Sequence, residues 1–111
     1  MEIEKCEKLL SNSIIESNNR LIVLGEKLSN KYPNATFEIE KDRWENEDQL
    51  RVSSGKREVH IDIDDSYYDP KFDLTFYFVN DNDAKTYQRS GITDSEEKAV
   101  FLVGDFLERV Q

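Results

Sequence analysis

Between Arg57 and Val79 apolar and polar residues alternate almost without a break. Val59, Ile61 and Ile63 share one parity, and Glu58, His60, Asp62 and Asp64 share the other. After a short loop, Phe72, Leu74, Phe76 and Phe78 alternate with Asp73, Thr75 and Tyr77. Successive side chains of a strand point to opposite sides of a sheet, so a period of two predicts two half-buried strands. Joined in sequence, they predict an antiparallel pair with one face in the core and the other in water.

The same reading extends outward from this pair. Residues 34–40 alternate again, with Ala35, Phe37 and Ile39 against Thr36, Glu38 and Glu40. DRWENEDQ (42–49) reads as a polar loop, Leu50 and Val52 as a short strand, and Ser53-Ser54-Gly55-Lys56 as a hairpin turn. Downstream, Asn80-Asp81-Asn82-Asp83 ends the fourth strand with turn-forming residues. Residues 84–92, including Tyr87 and Gly91, read as a polar connector.

The ends of the chain change period. Ile3, Leu10, Ile14, Leu21, Leu24 and Leu28 recur at helical spacing over residues 2–31. One straight helix of that length would extend about 45 Å. Ser17-Asn18-Asn19 competes for backbone hydrogen bonds within it, so a kink or two shorter helices is the alternative. Pro33 closes the region. Near the other end, Thr93-Asp94-Ser95-Glu96 offers a capping box to a helix with a stripe of Ala99, Leu102, Val103, Phe106 and Val110. The order α-β-β-β-β-α predicts one α+β domain over residues 1–111. It has two layers: a four-stranded, mainly antiparallel sheet and two helices covering one face.

Charge adds a second pattern to this outline. The net charge is −9, and residues 34–83 hold fourteen acids against six bases, while the segments on either side are near balance. The acidity therefore belongs to the sheet. Such a field repels nucleic acid and anionic membranes and steers basic partners. No apolar run is long enough to span a membrane, and the N-terminal MEIEKCEK is too charged for a signal peptide. With Cys6 as the only cysteine, no internal disulfide can form, and a cytoplasmic location is expected.

Catalytic chemistry finds little support. A Cys–His pair would need Cys6 beside His60, and nothing in the pattern brings them together. His60 shares a strand face with Glu58 and Asp62, and reads as an exposed histidine among acids. His60, Asp62 and Asp64, aided by Asp73, could approach a hard cation. Ligands two apart on a strand are about 6.6 Å apart, however, and no EF-hand or zinc spacing occurs. There is no phosphate-binding glycine loop and no nucleophile elbow. Neither an enzyme nor a cofactor is expected.

Binding is the better-supported class. Glu58, His60, Asp62, Asp64, Asp73 and Tyr77 form one side of the central pair. Trp44, in the 42–49 loop, and Tyr67 and Tyr68, in the loop within the pair, are candidate aromatic anchors. The expected partner is a basic protein, with the chain itself a monomer or weak dimer. In size, acidity, α+β order and the terminal helix SGITDSEEKAVFLVGDFLERV, the chain resembles bacterial immunity proteins of contact-dependent inhibition and related polymorphic toxin systems. The resemblance implies a non-catalytic protein that neutralises a co-encoded, nuclease-type toxin by covering its basic active site. It transfers no residue roles. The same physics suits a phage nucleic-acid mimic such as an anti-CRISPR protein. A small structural or adaptor subunit with a seam at Ile14, Leu21 and Leu28 is a third class, and an enzyme at His60, Asp62 and Asp64 a fourth.

Overall fold

The computed structural model describes residues 19–41, 48–64 and 70–108. Helix α1 covers described residues 19–31. It is followed by strands β1 (Thr36–Lys41), β2 (Asp48–Ser54), β3 (Arg57–Asp64), β4 (Lys71–Val79) and β5 (Lys85–Thr93), and by helix α2 (Glu96–Glu108). The five strands form one antiparallel sheet in sequence order, β1-β2-β3-β4-β5.

Both helices pack on one face, as the polarity pattern demands. Leu21, Leu24 and Leu28 of α1 and Ala99, Val103 and Phe106 of α2 join Leu50, Val52, Val59, Ile61, Ile63, Phe72, Leu74 and Phe76 in one core. Burying a Leu or Phe side chain contributes roughly 1.5–3 kcal/mol, so this cluster is the main source of stability. The three α1 leucines are 0% exposed. Leu21 and Leu28, which an oligomer seam with Ile14 would need on the helix surface, are thus taken up by the core. Ile3, Leu10, Ile14, the Ser17-Asn18 break and Val110 lie outside the described residues.

Small residues set the approach of the helices. Gly104 of α2 faces Tyr32, and a Cβ there would collide with the tyrosine ring and hydroxyl. Arg57 sits on the core side of β3, where its Nη1 donates to the Phe106 carbonyl at 2.7 Å. Its guanidinium lies 5.1 Å from the ring centres of both Phe78 and Phe106. The last turn of α2 holds no basic residue, so Arg57 supplies from the sheet the positive charge that the carbonyl end of a helix favours.

Two expectations need correcting. The sheet has five strands, because Lys85–Thr93 forms β5 where a connector over residues 84–92 is expected. On the core side β5 presents Arg89, Gly91 and Thr93, opposite Phe76, Leu74 and Phe72, so no apolar alternation marks it. Arg89 nonetheless covers the core, its guanidinium 4.9 Å from the Phe76 ring centre and 5.9 Å from that of Phe106. A register shift opposite Phe76/Tyr77 inserts Gln88 as an extra residue, which breaks the period of two. The Asn80–Asp83 turn is real, and it begins a hairpin: the Asn80 side-chain oxygen accepts from the amides of Asn82 and Ala84, and Asp83 takes a positive φ.

The second correction concerns the start of α2. Ser95 is the N-cap, its Oγ accepting from the Lys98 amide at 3.2 Å, and Thr93 Oγ1 accepts from the Ser95 amide. Glu96 does not close a capping box; it forms an ion pair with Lys27 of α1 at 2.7 Å. A smaller adjustment is that β2 begins at Asp48, two residues inside the expected 42–49 loop. Among the described residues no helix is long and apolar enough to cross a membrane.

Candidate docking face of the sheet

Antiparallel register carries the polar side of each strand onto one continuous surface. One row runs Glu38, Arg51, His60, Thr75, Ser90; on one side of it lies Thr36, Ser53, Glu58, Tyr77, Tyr87, and on the other Glu40, Gln49, Asp62, Asp73, Ile92. Asp64, opposite Lys71, extends the surface beyond Asp62. Six of the predicted binding residues, Glu58, His60, Asp62, Asp64, Asp73 and Tyr77, therefore share this face. Trp44, Tyr67 and Tyr68 lie outside the described residues.

His60 is not the exposed histidine expected of its position. It is 8% exposed, with Nε2 2.9 Å from Glu58 Oε2 and its ring centre 4.6 Å from that of Tyr77. The cause is the flat packing of a sheet face, on which cross-strand aromatic neighbours cover a short side chain. Lys85 Nζ approaches the same Glu58 oxygen at 2.8 Å. Burial pushes the Glu58 carboxyl up, but the hydrogen bonds from Lys85 and His60 and the charges of both outweigh it. Its pKa ends below the ordinary value.

A second network crosses the first three strands. Arg51 pairs with Glu40 and donates from Nε to Gln49 Oε1 at 2.9 Å. Gln49 in turn offers its amide to both oxygens of Asp62 at 3.1 Å. Asp62 lies directly across from Asp73. Burial, then the charge of Asp62, then that of Asp64 raise the Asp73 carboxyl above its usual value. The face thus holds two carboxylates with opposite histories. Glu58 is stabilised as an anion by its neighbours, and Asp73 is held against like charge.

Among the described residues no group of three His, Cys, Asp or Glu side chains is placed to hold a metal ion. Pattern reading missed the β5 contribution to this surface: Lys85, Tyr87, Ser90 and Ile92. Tyr87 is 58% exposed and Ile92 47%. Their shared side becomes visible only once Gln88 is counted as a bulge, since they are five positions apart in sequence and an odd spacing puts them on opposite faces of a regular strand. Comparison with family models, curated protein sequences and solved structures finds no match for the chain.

Proposed function

We propose that this protein is a non-catalytic binding protein that docks its acidic sheet face onto a basic protein, as a bacterial immunity protein docks onto its cognate toxin. One observation supports the reading above the others: both described helices pack on the apolar side of the sheet. The opposite side is left carrying Glu38, Glu40, Glu58, Asp62, Asp64 and Asp73 against the bases Arg51, Lys71 and Lys85. A two-layer α+β domain leaves one sheet face wet, and here that face concentrates acids. Its field would speed encounter with a positively charged cleft and select against nucleic acid and anionic membrane.

A nuclease cleft suits such a surface, because it is built to hold phosphates and an array of carboxylates can occupy the same cationic groups. In this reading the protein acts stoichiometrically in the cytoplasm of the cell that makes the toxin. The adjacent gene is then expected to encode a polypeptide ending in a basic toxin domain. Mixing that domain with this protein should give a one-to-one complex and abolish nuclease activity at equimolar ratio. Full nuclease activity in the presence of saturating protein would overturn the assignment.

A further inference from the structure

Exposed apolar side chains are unevenly placed on the wet face. Among the described residues the large hydrophobics with the greatest exposure are Phe101, Tyr87, Ile92, Ile22, Val23 and Ile39. Phe101 lies on α2, Ile22 and Val23 on α1, and Ile39 on the core side of edge strand β1. Tyr87 and Ile92 alone point from the acidic face, both from edge strand β5. Each continues a row already described: Tyr87 lies opposite Tyr77, with ring centres 6.5 Å apart, and Ile92 lies opposite Asp73. Tyr87 is further oriented by its hydroxyl, which donates to Ser90 Oγ at 3.3 Å.

Electrostatics divides the face in the same way. Glu40 is engaged by Arg51, and Glu58 by Lys85 and His60. Asp73 instead stands beside Ile92 and across from Asp62, which Gln49 holds, and it feels the like charges of Asp62 and Asp64, with Lys71 opposite Asp64 as the base on that side. Interfaces draw affinity from apolar or aromatic anchors ringed by polar groups, with arginine enriched among the residues that matter most. An arginine suits this location better than a lysine. Its stem can lie on Ile92, while its planar head can meet two carboxylate oxygens at once.

We infer that the basic partner is seated on the β3–β5 half of the face, with its apolar contact on Tyr87 and Ile92 and an arginine directed at Asp73 and Asp62. This placement rests on the basic-partner reading, and adds to it the locus and the side chain that the partner must bring.

The test is an NMR titration of the isotope-labelled full chain with two synthetic peptides, acetyl-Arg-Trp-Arg-amide and tetralysine, at low salt. The expected result is that the Arg-Trp-Arg peptide binds several-fold more tightly than tetralysine and shifts the amides of Asp62, Asp73, Tyr87 and Ile92 most. Ile92→Ser and Tyr87→Ser, both at exposed positions that leave the core intact, should remove that advantage, and Asp73→Asn should weaken binding roughly threefold to fivefold. Equal affinity for the two peptides, or shifts centred on Glu38 and Glu40, would overturn the placement while leaving a cation-binding face. If neither peptide shifts any residue of the face, the basic-partner reading falls with it.

Discussion

Removing the negative charge of Asp73 should stabilise the protein, and removing that of Glu58 should destabilise it. Asp73 and Asp62 are direct cross-strand partners, and Asp64 adds a second like charge. Like charges directly opposite on a sheet cost roughly 0.2–1 kcal/mol, and water on this face screens them toward the lower half of that range. Asp73→Asn keeps shape and relieves about 0.5 kcal/mol. With a urea m-value of about 1–1.5 kcal/mol/M, the midpoint should rise by about 0.3–0.5 M. Glu58→Gln removes the acceptor of Lys85 and His60 and should lower the midpoint by a similar or larger amount.

The signs with pH are also opposite. The folded pKa of Asp73 is raised, so its ionised form opposes folding: its favourable contribution is full in acid and is lost as pH rises through the folded value. The folded pKa of Glu58 is lowered, so its contribution is present at neutral pH and is lost as pH falls through the folded value. Urea titrations at neutral pH, in acid and in high salt should show the Asp73→Asn gain shrinking in the last two. Destabilisation by Asp73→Asn at neutral pH, or a gain that persists unchanged in acid, would refute the like-charge account.

Three further outcomes test the fold that holds the face in place. Ser95→Ala should cost about 1 kcal/mol by thermal unfolding, whereas Glu96→Gln, which loses only the partly exposed pair to Lys27, should cost a few tenths. Gly104→Ala should cost about 1–3 kcal/mol through collision with Tyr32, and a double-mutant cycle with Tyr32→Ala should recover part of that loss. Arg57→Gln should cost about 2 kcal/mol by losing the bond to the Phe106 carbonyl and the stacking on Phe78 and Phe106.

The central strands were readable from sequence because their two faces differ in polarity at every step. Val59, Ile61, Ile63, Phe72, Leu74 and Phe76 are buried, and their polar neighbours share the other side. The leucines of α1 and the stripe of α2 were readable for the same reason at helical period. β5 was not, because the sheet uses Arg89, Gly91 and Thr93 where a pattern reading looks for aliphatic residues, and because Gln88 shifts parity midway. The burial of His60 was hidden too: it depends on Tyr77 and Glu58 closing over the ring, and single-residue polarity carries no information about such cover. The acidic side of the candidate site was thus legible, whereas its apolar margin on β5 required the register.

The most direct test of the proposed docking face is the affinity of the Asp62→Asn, Asp64→Asn, Asp73→Asn triple variant for the basic toxin domain that the adjacent gene is expected to encode, measured by calorimetry. Asp73→Asn is expected to stabilise the chain, so lost binding in a variant that still unfolds cooperatively cannot be assigned to misfolding. At about 1 kcal/mol per lost interfacial charge, the dissociation constant should rise by about a hundredfold, with a weaker salt dependence than that of the parent protein. An unchanged dissociation constant would contradict the account.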